Sequence, residues 1–69
     1  MAQIRLKEIL TSNGIRQSTL ASITGLAVGY INKICNKKVI PSLTTKNIIL
    51  KGLTKLSSKS FSLEEVFGK

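Results

Sequence analysis

Apolar positions in this 69-residue chain recur at helical spacing, with short polar breaks between them. Leu6, Ile9 and Leu10 stand at i, i+3 and i+4 and predict one buried face of a helix over residues 4–12. Asn13-Gly14 ends it, Gly14 being suited to a left-handed stop. Residues 17–24 read as a second short helix with Leu20 and Ala21 inward, closed by Gly25. Residues 28–35 read as a third, with Ile31 and Ile34 inward and Asn36 as its left-handed stop. Lys37-Lys38-Val39-Ile40 reads as a loop.

Pro41-Ser42 opens a fourth helix with Ser42 as N-cap, running to about residue 56 on the spacing of Ile48, Ile49, Leu53 and Leu56. Gly52 in its middle is expected to weaken it by about 1 kcal/mol relative to Ala. Ser62-Leu63-Glu64-Glu65 has the form of a capping box opening a last short helix, with both carboxylates in the turn where the helix dipole favours them. No period-2 alternation persists long enough to name a strand. The pattern predicts an all-α fold of four to five short helices, one domain over residues 1–69.

Charge narrows the function. Eleven Lys and Arg stand against three acids, a formal net charge of +8. Residues 9–63 hold no acid, yet carry Arg16, Lys33, Lys37, Lys38, Lys46, Lys51, Lys55 and Lys59. A surface so biased points to a polyanion. The three aromatics, Tyr30, Phe61 and Phe67, are too few for a base-stacking platform, which favours duplex DNA over single strands. A membrane partner is disfavoured, because the chain is cut into short helical pieces rather than one long amphipathic face.

Enzymatic and metal chemistry find no residues. There is no His, and Cys35 is alone, so neither an intrachain disulfide nor a Cys-only zinc site can form. Glu64 and Glu65 are accounted for by capping. No enzyme, cofactor, metal or small-molecule substrate is expected. Met1–Lys7 breaks before any apolar leader could develop, and no apolar run is long enough to span a bilayer, so a cytoplasmic, nucleoid-associated chain is expected. Cys35 is read as a small packing residue.

The most informative stretch is Gln17 to Asn36: two helices of about two turns each, joined by a short turn that starts with Gly25. Ala21 is small where the next helix crosses. Leu20, Ile31 and Ile34 lock the pair to a shared core, which leaves the second helix free to project into a major groove.

At these residues the chain resembles the Cro and phage-repressor type of helix-turn-helix domain, also called the xenobiotic-response-element type, with a lambda-repressor-like fold. The matches are Leu6-Lys7-Glu8-Ile9, Gly14-Ile15, Gln17, Leu20-Ala21, Thr24-Gly25-Leu26, Tyr30-Ile31, Ile34, Asn36, Pro41-Ser42-Leu43 and Ser62 to Phe67. Arg16 and Ala27 stand where the family has capping residues, and Cys35 and Lys37 replace the Glu and Gly of its turn after the recognition helix. The segment from Leu43 to Leu63 is several residues longer than usual. Leu10 and Ile23 fall where the family tends to be polar, as exposed apolar residues or part of a partner surface.

The resemblance implies roles. Base reading falls to Ala27, Val28, Gly29, Asn32 and Lys33, with Asn32 matched to adenine and Lys33 to guanine. Phosphate contacts fall to Gln17, Asn36, Lys37, Lys38 and Lys46. It implies a sequence-specific regulator of a phage or mobile element, a repressor or Cro-like protein, binding a palindromic operator as a homodimer. The alternatives are an antirepressor-like protein-interaction module on the same scaffold, which the sparse reading set Ala27-Val28-Gly29 favours, and a non-specific nucleic-acid or RNA binder.

Overall fold

The computed structural model describes residues 4–68 and contains five helices there: α1 Leu6–Ser12, α2 Gln17–Thr24, α3 Val28–Cys35, α4 Leu43–Ser57 and α5 Leu63–Phe67. Met1–Gln3, part of the N-terminal segment considered above, lie outside the described residues. Every helix contributes to one core. Leu6, Leu20, Ile31, Ile34, Ile49, Leu53, Val66 and Phe67 are fully buried. Each is the inward member of an amphipathic turn, so burial rather than helix propensity holds these short segments helical.

Helix α2 lies at the centre of the arrangement, packed on α3 on one side and on α4 on the other. Helix α5 closes the core against α4 and α1. The main chain draws the two ends together through the Arg5 N–H, which donates to the Val66 carbonyl at 2.6 Å. Ile4 is buried although it precedes α1, which starts at Leu6 rather than at residue 4.

The expected caps at α4 and α5 form. The Ser42 hydroxyl accepts from the Thr45 N–H at 3.3 Å. Ser62 accepts from the Glu65 N–H at 3.1 Å while the Glu65 carboxylate accepts from the Ser62 N–H at 3.3 Å, a reciprocal capping box. Helix α4 takes up the extra length of the 43–63 segment as 15 helical residues and stops at Ser58, which has φ of 58°.

Three expectations are corrected. Leu10 is buried at 3 % exposure and belongs to the core, as its spacing requires; it is neither a surface residue nor available to a partner. Asn36 does not take the left-handed stop of α3: its φ is −88°, and Lys37 takes the position with φ of 62°. The hydrogen bonds decide this. The Lys38 N–H donates to the Lys33 carbonyl at 2.9 Å and the Lys37 N–H to the Ile34 carbonyl at 3.0 Å, the Schellman pattern, which places the left-handed residue one position past Asn36. Gly52, finally, is more than a soft spot in α4. It is buried, and a Cβ there would lie 2.8 Å from Thr24 Cγ2, 3.1 Å from Leu20 Cδ1 and 3.2 Å from Ile23 Cγ2. The missing side chain is what lets α2 lie down on α4.

Cys35 is buried at 4 % exposure, consistent with a packing role. Burial pushes its thiol pKa up, and the nearby Lys7 charge pulls weakly the other way. The folded thiol therefore holds its proton to higher pH than the unfolded one. Its contribution to stability is intact below the ordinary thiol range and declines as pH rises through and above it. We expect thiol-reactive reagents to label the native chain slowly at pH 8 and quickly in denaturant; equal rates in both would contradict the burial.

Candidate nucleic-acid interface

The turn between α2 and α3 is short because Gly25 adopts φ of 76° and ends α2 at once, its N–H donating to the Ala21 carbonyl at 2.9 Å. A Cβ at Gly25 would meet nothing within 4 Å, so glycine is required by the backbone conformation and not by space. Thr24 reinforces the turn: its hydroxyl donates to the Leu20 carbonyl at 2.8 Å and accepts from the Leu26 N–H at 3.4 Å.

Neither α2 nor α3 has a side-chain cap. Arg16 and Ala27 occupy the cap positions in extended conformations, and neither side chain accepts a bond from the first turn. The leading N–H groups of α2 are therefore left without a side-chain acceptor, beside Gln17. A helix start in that state is a donor surface for anions.

The buried residues of α3 are Ile31, Ile34 and Cys35. The helical repeat then gathers Val28, Gly29, Asn32, Lys33 and Asn36 on the opposite, exposed face. Ala27, just before the helix, is exposed as well. Val28 keeps half its surface in solvent on this face.

A chain of amide hydrogen bonds crosses this face. The Asn32 Nδ2 donates to Gln17 Oε1 at 3.2 Å, and the Asn36 Nδ2 donates to Asn32 Oδ1 at 3.0 Å. Gln17 at the start of α2 is thereby tied to the middle and the end of α3. The sequence assigns these three residues separate tasks and gives no hint of their mutual bonding, since residues 15 apart carry no local signal of contact. Lys33, Lys37 and Lys38 are exposed around the C-terminal end of the same helix. Lys46 is set apart from the group: its ammonium lies 5.7 Å from the centre of the Phe67 ring, a cation–π contact that turns it towards α5.

A family model described as helix-turn-helix matches residues 6–56. The chain belongs to the helix-turn-helix family. It is of the Cro and repressor type, a DNA-binding regulator with a small all-α fold. The match spans α1 to α3 and nearly all of α4 of this helix-turn-helix protein, and leaves α5 outside. No curated protein matches the chain. Among its described residues, no helix is long and apolar enough to cross a membrane.

Proposed function

We propose that this helix-turn-helix chain is a sequence-specific repressor or Cro-like regulator of a phage or mobile element. In this reading it binds a palindromic operator as a homodimer, with α3 in the major groove. The observation that carries the reading is the single exposed face formed by Val28, Gly29, Asn32, Lys33 and Asn36, joined to the uncapped start of α2 through Gln17.

Each group on that face has a stated task. The Gln17 end of α2 offers unpaired N–H groups to one phosphate. Lys37, Lys38 and Asn36 hold the backbone beyond the C-terminal end of α3. Lys46 is the weakest phosphate candidate, because it must leave the Phe67 ring to reach DNA. Between these anchors Ala27 and Gly29 permit close approach, Val28 packs on a thymine methyl, and Asn32 and Lys33 bond to base edges. Selection from random duplexes tests the proposal. It should return an inverted repeat with half-site centres about 10 bp apart, carrying two protein chains per site. Enrichment without a common sequence would remove the specificity claim, and one chain per selected site would remove the dimer.

In this reading Lys37 sets stability against binding. A non-glycine residue in the left-handed region costs about 1–2 kcal/mol. Lys37→Gly should relieve that strain and raise stability in urea by about 1 kcal/mol after the added freedom of the unfolded chain is subtracted. The same change removes one cation from the phosphate-facing end of α3. Operator affinity should fall, with the slope of log affinity against log salt reduced by about 0.9. An unaltered slope would take Lys37 out of the phosphate contacts.

A further inference from the structure

Helices α2 and α4 meet along a groove with lysines at its rim and both apolar and polar groups in its lining. Ile23 and Ile48 line a concavity of about 170 Å³ with Lys51 and Lys55 at its edge. On the other side of the same two lysines a shallower hollow of about 400 Å³ is floored by Leu50 and Thr54. Lys51 and Lys55 thus form a ridge one helical turn apart between two hollows, the larger of them mainly apolar. Ile23 is 40 % exposed.

The charge on this ridge has no local counterpart. Neither α2 nor α4 contains an acidic residue, while α4 carries Lys46, Lys51 and Lys55. Like charges at i, i+4 repel, and nothing within either helix offsets that repulsion. The smaller hollow is below the usual size of a small-molecule pocket and fits one anchoring side chain. Two such hollows flanking a pair of cations match one surface chemistry: a helix that presents apolar residues at i, i+3/i+4 spacing with carboxylates between them. Phosphodiester backbones would use the lysines but leave the apolar surface of Ile23, Ile48 and Leu50 uncovered.

We propose that the α2–α4 groove is a docking site for an acidic amphipathic helix of a partner protein. None of the residues lining the two hollows belongs to the set assigned to base reading or phosphate contact. The groove therefore stays open when α3 is engaged, and the regulator can hold a duplex and a protein partner together. The proposal goes beyond the DNA-binding reading and does not depend on it.

The test uses the full ¹⁵N-labelled chain, free and with a duplex, titrated with a peptide of about 15 residues, roughly four helical turns. The peptide carries Leu on one face and Glu on the other, and a scrambled peptide of the same composition serves as control. Amide shifts should centre on Ile23, Ile48, Leu50, Lys51 and Lys55 in both samples, with the scrambled peptide binding about tenfold more weakly. The double variant Lys51→Glu/Lys55→Glu should lose about tenfold in peptide affinity and keep its circular dichroism. The milder pair Lys51→Gln/Lys55→Gln answers the same question should the first variant fold poorly. The proposal is overturned if the peptide shifts α3 and is displaced by the duplex, or if the scrambled peptide binds equally. It is also overturned if neither lysine pair alters binding, or if excess duplex perturbs this groove more than the peptide does, which would make it a second nucleic-acid contact.

Discussion

Replacing Gly52 with Ala should destabilise the protein by about 1 kcal/mol, the reverse of what helix propensity alone predicts. In an ordinary helix interior the change gains about 1 kcal/mol, because Ala restricts the unfolded chain and exposes less backbone. Here the added Cβ falls 2.8 Å from Thr24 Cγ2. That methyl cannot swing aside cheaply, because the Thr24 hydroxyl is bonded to the Leu20 and Ala21 carbonyls at 2.8 and 3.2 Å, which fixes its rotamer. Leu20 and Ile23 stand next nearest, so α2 as a whole must move off α4. Overpacking of this kind costs about 1–3 kcal/mol, which exceeds the propensity gain.

Gly52→Val places three heavy atoms in the same gap and gains only about 0.3 kcal/mol in helix propensity. It should cost about 3 kcal/mol or more, close to the low end of the whole stability of a chain of this length. Its melt should lose cooperativity near room temperature. Gly29→Ala is the internal control: Gly29 lies in α3, and a Cβ added there would meet nothing within 4 Å, so the same substitution should stabilise by about 1 kcal/mol. Calorimetry on the two Ala variants should show Tm shifts of opposite sign, each of about 4–8 °C. A rise in Tm at Gly52 would refute the close approach of α2 and α4, and with it the explanation of how α2 is held.

What the sequence discloses and what it withholds follow from how far each signal reaches. Leu20, Ile31 and Ile34 are legible as the lock between α2 and α3, and Ser42 and Ser62 as caps, because each depends on residues a few positions away. Leu10 shows the physical pattern prevailing over the family habit: its spacing with Leu6 places it inside, and it is inside. Gly52 reads from sequence only as a helix weakness, because its reason lies 28 positions earlier at Thr24, in the docking of one helix on another. Residue preference assigns the left-handed stop to Asn36. The ladder of bonds to Lys33 and Ile34 puts it on Lys37, while the Asn36 side chain bonds to Asn32. Helical period finds the exposed residues of α3 but not their link to Gln17, since hydrogen bonds between side chains of two helices leave no periodic trace.

That link separates specificity from affinity. Asn32→Ala removes both of its bonds, one to Gln17 and one to Asn36. All three side chains are at or near the surface, so water replaces the lost partners and stability should change by no more than about 0.5 kcal/mol. Operator affinity should fall far more, by about 1–3 kcal/mol, or roughly tenfold to a hundredfold, with discrimination lost at one base pair per half-site. Lys37→Ala/Lys38→Ala should behave differently, weakening every duplex alike and lowering the salt slope by about 1.8. Fluorescence anisotropy across a salt series, on the selected operator and its single-base variants, distinguishes the two patterns. Gln17→Ala completes a cycle with Asn32→Ala. If Gln17 acts partly by holding Asn32 in register, the two losses overlap and the coupling should reach about 0.5–3 kcal/mol. Simple additivity would mean that Gln17 serves its phosphate alone, and a uniform loss on all sequences for Asn32→Ala would move base reading to Val28 and Lys33.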